Sequence, residues 1–335
     1  MRIYISEYGA KIRLSNNRLL VEKNSKCICS VPLELVDSLL VNSSVQITSK
    51  ALIALSKRNA SVSWKNNANK IVCSLLNESF VRVTRRKAQY ALSDNKRLKA
   101  ALSREIISAK IHNQLCLLAK MNYKMRYTAA ERAVCTLSAA EKQCSGASIS
   151  TLRGIEGMAS RCYFSALSLF IDSKFGFDGR NRRPPKDRAN AAFSYSYTLL
   201  YNYVDTILRS SGFDTFEGII HAPRSGHRAL ASDIMEIFRS FVSDFATIAF
   251  LEKADTEADF DCTETSVYLS NAGRRKMIEL FESRLSDEAD TDNGYKNNVD
   301  GLILSQVDRL SVTIEEKRAS ALKPFRSIKE DKCTF

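Results

Sequence analysis

The chain lacks the marks of several protein classes at once. It has no run of about eighteen apolar residues, the minimum for a membrane-crossing helix. Its opening stretch, "MRIYISEYGAKIRLSNN", has no apolar signal core. The expectation is therefore a cytoplasmic protein with no membrane partner. There is no CxxC pair. The nine cysteines, Cys27, Cys29, Cys73, Cys116, Cys135, Cys144, Cys162, Cys262 and Cys333, are odd in number and scattered. That argues against a disulfide frame or a zinc ribbon and for reduced thiols. Cys27 and Cys29 alternate on one face of an expected strand, where core or cross-strand packing is the natural assignment. Internal repeats and low-complexity tracts are also missing.

What is present is length, ordinary composition and positive charge. A chain of 335 residues is long for one hydrophobic core, so two domains are expected. With 44% hydrophobic and 26% charged residues, it has the make-up of a soluble globular protein. The formal net charge is +13, and residues 1–90 carry 15 Lys/Arg against 5 Asp/Glu, which accounts for +10 of it. Such a protein attracts polyanions, of which nucleic acid is the commonest. A plain lysine excess gives the same number, so charge alone does not decide the matter.

Hydrophobic periodicity divides the chain near residue 85. "RIYIS", "AKIRLS", "RLLVEK", "KCICSV", "DSLLV", "ASVSW", "KIVCSLL" and "FVRVT" read as strands, with Asn16-Asn17 as a hairpin turn. "TSKALIALSKR" interrupts them as a short helix that Thr48 or Ser49 can cap. Residues 1–85 are thus expected to form a small antiparallel β domain with one helix. From "RKAQYALSDNKRLKAALSREIISAKIHNQLCLLAKM" onward the spacing is helical. Residues 86–335 are expected to form a larger all-α domain, an α+β chain overall. "LEKADTEADFDCTE" carries six acidic residues and reads as a solvated loop or helix end.

Three segments hold residues that can do chemistry. Projected at about 100° per residue, "GIEGMASRCYFSALSLF" places Glu156 on the apolar face of Ile155, Ala159, Tyr163 and Leu167. A carboxylate there must be paired, protonated or metal-bound, or must sit near a helix start. In "GIIHAPRSGHRALASDIMEIFRSF", His221 ends an apolar approach, and Asp233 and Glu236 share one face of the helix that follows. Ser240 and Asp244 fall on the same side. Taken by themselves, these acids are more simply read as the solvated polar face of an amphipathic helix. One imidazole and two carboxylates also suit Mg²⁺ or Mn²⁺, manganese accepting nitrogen more readily. The third segment, "GRNRRPPKDRAN", offers Arg180, Arg182, Arg183, Lys186 and Arg188, whose forks and charge suit phosphate. A solvated basic loop is the alternative. Asp187 can cap the helix that follows.

Taken in order, "LRGIEGMASRCYF", "RRPPKDRANAAFSYSYTLLYNYV", "GFDTFEGIIH", "ALASDIMEIFRSFVSD" and "LSNAGRRKMIELFESRL" resemble the CRISPR-associated integrases of the Cas1 family. The motifs span about residues 150–285, and the strand-rich start extends the likeness to nearly the whole chain. The resemblance implies a β-sandwich-like N-terminal domain used for dimerisation and partner contact, followed by an α-helical catalytic domain. It implies a prokaryotic homodimer that joins the small protein Cas2 in a heterohexameric complex and carries double-stranded DNA, with the prespacer as cargo and the CRISPR repeat as target. The implied reaction is metal-dependent attack by DNA 3′-hydroxyl groups on the repeat. The family's ligand positions fall on Glu156, His221 and Glu236, with Asp233 as an auxiliary carboxylate and Arg224 as a phosphate contact. A transposon-type integrase, a stand-alone nuclease, or an inert DNA-binding scaffold would carry the same residues.

Overall fold

The computed structural model describes residues 1–66, 71–75, 77, 82–181, 184–290 and 296–328. Strands occupy the N-terminal part and helices most of the rest. Two compact units are present: Met1–Val83 with Arg209–Phe213, and Thr84–Leu208 with Asp214–Phe335.

The first unit contains two four-stranded sheets. One is built from β1 (Arg2–Ile5), β5 (Ser38–Asn42), β7 (Ser61–Lys65) and β8 (Ile71–Leu75), in that order. The other runs β4 (Lys26–Pro32), β3 (Arg18–Lys23), β2 (Lys11–Ser15) and β6 (Gln46–Ile47). The hairpin between β2 and β3 turns at Asn16 and Asn17, both at positive φ, 47° and 56°. That geometry matches the twist of the flanking strands. Helix α1 (Ser49–Lys57) begins at Thr48, whose hydroxyl accepts the Ala51 N–H. Both sheets and α1 feed one apolar cluster, including Ile5, Leu39 and Val62 from the first sheet and Ile12, Leu19 and Val31 from the second. Each such side chain, fully buried, contributes about 1.5–3 kcal/mol.

Two expectations for this unit need correction. It is not purely antiparallel: β1–β5, β5–β7 and β2–β6 pair in parallel. A parallel neighbour needs a crossover, and α1 with the strands of the other sheet supplies it. Cys27 and Cys29 are exposed rather than packed. They lie on β4, at a sheet edge, where a bulge opposite Val21 and Glu22 breaks the alternation of faces.

Helix α2 (Val83–Asp94), all but its first residue in the second unit, leads into α3 (Lys96–Met125), a 30-residue helix. No Pro or Gly interrupts α3, and it is about 45 Å long at 1.5 Å per residue. It is buried on most sides, which marks it as the central helix. Ile107, Ile111 and Leu118 meet Ala133, Leu137 and Ala140 of α4 (Thr128–Gln143) and Leu152, Ala159 and Leu167 of α5 (Ile149–Leu167). The alanines let the helix axes approach closely. Helix α6 (Arg188–Ser210) is capped by Asp187, whose Oδ1 accepts the Asn190 N–H at 2.7 Å. Helix α7 (Ala229–Phe238) passes through a wide π turn, Arg239–Asp244, into α8 (Phe245–Lys253). The hairpin β9 (Phe260–Cys262) and β10 (Val267–Leu269), helix α9 (Asn271–Ser286), the hairpin β11 (Glu288–Asp290) and β12 (Lys296–Asn298), and α10 (Val299–Glu315) follow. The two short hairpins depart from the all-α expectation for residues 86–335. Within the acidic stretch, Asp259 is not solvated: it is fully buried and bonds Lys276 Nζ at 2.7 Å.

Candidate active site

Glu156 sits in the second turn of α5, between Ile155 and the buried face that packs on α3. Its Oε1 bonds Lys110 Nζ at 2.5 Å. Lys110 comes from the middle of α3, with a side chain only 5% exposed, and it also reaches Glu236 Oε2 on α7 at 2.9 Å. The two glutamates, some eighty residues apart in sequence, thus converge on one ammonium. Glu236 holds a second cation: Arg239 Nη1 donates to Oε1 at 2.9 Å and to Oε2 at 3.1 Å. Burial works against the Glu236 charge, but Arg239 and Lys110 outweigh it and hold its pKa down at about 2. Glu236 is therefore ionised throughout the physiological range.

Asp233 is fully buried one turn before Glu236 and fixes the other side of the site. Its Oδ2 accepts the N–H groups of Ile219 (2.6 Å) and Ile220 (2.9 Å), and its Oδ1 accepts that of His221 (3.2 Å). Oδ1 also lies 2.5 Å from His221 Nδ1. An ionised carboxylate can only accept, so the ring donates from Nδ1. This sets the tautomer of His221 and leaves Nε2 as its other ring nitrogen. The bond to Asp233 raises the His221 pKa, burial opposes it, and the charges of Glu236 and Glu156 raise it further. Gly218 makes the arrangement possible by close approach: a Cβ there would stand 2.6 Å from His221 O and 2.9 Å from Asp233 Oδ2.

The structure overturns the solvated-face explanation of α7. Asp233, Ser240 and Asp244 are all buried. Beyond Phe238 the π turn adds a residue per turn, so a wheel drawn at 100° no longer applies. Asp244 accepts the hydroxyl protons of Tyr163 (2.8 Å) and Tyr197 (2.5 Å). Burial raises its pKa against the pull of Arg239. Arg239 lies 4.2 Å above the Tyr197 ring and 5.7 Å from that of Phe164. Aromatic residues of α5 and α6 therefore brace the cation that anchors Glu236. Asn113 of α3 bonds the Ile237 carbonyl at 2.7 Å, where the helix begins to widen.

Among the described residues, no group of three or more His, Cys, Asp or Glu side chains stands at metal-ligand spacing. Lys110 supplies the positive charge between Glu156 and Glu236 instead. Sequence reading missed Lys110 and Arg239. Arg239 could have been found as the i+3 partner of Glu236. Lys110 shares its face with the buried Ile106, Ile107, Asn113 and Gln114, a pattern hidden among the many lysines of α3.

The basic residues divide into two groups. Arg180 is half-buried, donates to Asn190 Oδ1, and lies over the rings of Phe193 (5.4 Å) and Tyr197 (5.0 Å), so it serves the packing of α6. Arg188 donates from Nε to the Thr256 carbonyl at 3.0 Å. Lys186 and Arg224 are exposed. Arg182 and Arg183 lie outside the described residues. His227, bridged to Arg224 across the turn, stacks on Tyr201 with ring centroids 6.5 Å apart.

Comparison with known proteins gives one family. The family model described as "CRISPR associated protein Cas1" matches residues 3–283. A "CRISPR-associated endonuclease Cas1 1" of Thermus thermophilus is 31% identical, over 94% of this chain and 96% of its own. A "CRISPR-associated exonuclease Cas4/endonuclease Cas1 fusion" of Leptospira interrogans is 31% identical over 85% of this chain, which spans 55% of that longer protein. Among solved structures, a casposase bound to an integration product has a TM-score of 0.83 at 21% identity, covering 99% of this chain and 96% of its own. A chain of a Cas6-RT-Cas1–Cas2 complex has a TM-score of 0.79 at 24% identity, covering 98% of this chain and 36% of its own. No described helix is long and apolar enough to cross a membrane.

Proposed function

The chain belongs to the Cas1 family of CRISPR-associated proteins, and on that premise we propose that it is a metal-dependent DNA integrase and endonuclease. In this reading it inserts short DNA fragments into a CRISPR array by 3′-OH transesterification. The observation that carries the reading is the convergence of Glu156 and Glu236 on one buried cation; on the helix that bears Glu236, Asp233 orients the His221 imidazole. The endonuclease names of the relatives support the reaction class. The casposase with its integration product supports strand transfer.

Glu156, His221 and Glu236 would hold Mg²⁺ or Mn²⁺. Two carboxylates and one imidazole are a suitable donor set, and the glutamates already accommodate a cation between them. When bound, the ion polarises a phosphoryl oxygen and lowers the pKa of the attacking hydroxyl or water. Asp233 keeps Nδ1 protonated and aims the ring. Arg239 fixes the Glu236 carboxylate through both oxygens and is itself held by Tyr197. Exposed Lys186 and Arg224, together with Arg182 and Arg183, would contact DNA phosphates, so affinity should fall steeply with salt. The N-terminal unit, read as a β-sandwich, would serve homodimerisation and contact with Cas2 in a heterohexamer; the neighbour solved with Cas2 favours that partner.

The test is half-site integration with Mn²⁺, with and without Cas2, on repeat and scrambled targets. Glu156→Ala, His221→Ala and Glu236→Ala should each lower joining by at least about a hundredfold. Full activity in any one of them would remove that residue from the site. The casposase likeness favours one second reading, a transposon-type integrase that needs no Cas2. Equal joining to repeat and scrambled targets without Cas2 would select it.

A further inference from the structure

Two cations serve the glutamate pair, and they are held very differently. Arg239 is locked: its planar group is stacked on Tyr197 and bonded to both oxygens of Glu236. Lys110 is a point charge on a flexible four-carbon stem, with no ring among its bonded partners to fix it. Glu236 keeps Arg239 if Lys110 moves. Glu156 does not: among the described residues, Lys110 is the only cation that bonds it. The lysine therefore stands where the two proposed ligand carboxylates meet, and a divalent ion at that point would compete with it for their oxygens.

We infer that Lys110 is a tethered counter-ion that competes with the divalent cation for Glu156 and Glu236, and that metal binding releases it toward the phosphate of bound DNA. This rests on the metal-dependent reading given above. The geometry gives the reason. Without a cation between them, the two carboxylates would repel each other in a largely buried setting. Lys110 supplies that charge in advance and keeps Glu156 and Glu236 converged on one point. Once a doubly charged ion takes over, the ammonium faces like charge and is expelled from between the carboxylates. Its stem is long enough to swing without moving α3, and an ammonium freed next to a metal-held phosphodiester is a ready phosphate contact. Lys110 is thus a positioning residue in the resting protein and a phosphate contact in the loaded one.

Two measurements test this on the full-length chain. The first is Mn²⁺ affinity by electron paramagnetic resonance of the free ion, for the wild type, Lys110→Met and the double variant E156Q/E236Q. Removing a competitor should tighten Mn²⁺ binding in Lys110→Met by at least about fivefold, while strand transfer falls. A merely structural lysine would leave affinity unchanged or weaken it. The second needs no variant: amine labelling of the wild-type protein, read by mass spectrometry at Lys110. Labelling should be low in chelator, rise with Mn²⁺, and fall again when inert duplex DNA is added. Labelling that ignores Mn²⁺, or Lys110→Met that folds and binds Mn²⁺ no tighter, overturns the inference alone. Wild type that binds Mn²⁺ no better than E156Q/E236Q overturns the metal reading and this inference with it.

Discussion

Replacing Asp233 by Asn tests the framework of the site most directly, because the change is nearly isosteric and removes only charge and acceptor capacity. Asp233 accepts four hydrogen bonds, three from backbone N–H groups at Ile219, Ile220 and His221 and one from the His221 ring. The amide retains one acceptor oxygen but turns an NH₂ group toward donors that cannot accept from it. Hydrogen bonds to a charged group are worth about 1.5–3 kcal/mol each, and they do not simply add. Breaking a buried ionic partnership on one side costs about 3–5 kcal/mol, which we take as the expected loss. For a unit of this size, about 2–4 °C accompanies each kcal/mol, so the transition of the helical unit should fall by roughly 6–20 °C. The His221 ring would lose its orientation as well, and strand transfer should drop even well below the new midpoint. Circular dichroism melting and the half-site assay, run side by side, read both. A variant with an unshifted melt and full joining activity would refute the claim that Asp233 holds His221 and the chain leading to it.

Other perturbations probe neighbouring contacts. Gly218→Ala should weaken the same arrangement without removing a polar group, because its Cβ would press on the His221 carbonyl, Ala229 and Asp233; a loss of about 1–3 kcal/mol by chemical denaturation, together with reduced Mn²⁺ affinity, is the expected pattern. Arg239→Ala leaves Glu236 with Lys110 alone in a buried setting and should cost about 3–5 kcal/mol by chemical denaturation. His112 gives a pH test away from the site. Its hydrogen bonds to Cys116 and Glu141 lift its pKa to about 10 against the effect of burial. The stability it contributes is complete below the unfolded value near 6.5 and is lost as pH rises toward 10. Denaturation midpoints should therefore decline across that window, and His112→Gln should flatten the decline.

Much of the architecture was legible in the sequence because it depends on local patterns. Asn16-Asn17 can take positive φ, Thr48 and Asp187 can cap, and the change from period-two to helical spacing near residue 85 is written in the apolar positions. Glu156 drew attention because a carboxylate on an apolar stripe demands a partner, and that partner exists. The parallel pairing of β1, β5 and β7 was not legible, since strand direction depends on crossovers that no single strand encodes. Nor was the exposure of Cys27 and Cys29, which follows from the edge position of β4 rather than from its alternation. The acids of α7 looked solvated because a wheel shows which residues share a side and never what lies opposite.

By itself, then, the sequence did not show the short hairpins β9–β10 and β11–β12, but it determined the change from strands to helices, the family motifs and which acids and imidazole are candidates for chemistry. These are properties of spacing along one chain, and spacing survives without tertiary contacts. Only the folded chain decided what those residues meet. Lys110 of α3, Glu156 of α5 and Glu236 of α7 come together because three helices pack around one core. The π turn after Phe238 then places Arg239 on Tyr197 and Asp244 between two tyrosines. Charge pairing in a buried site depends on distance, and distances across helices are fixed by packing, not by position in the sequence.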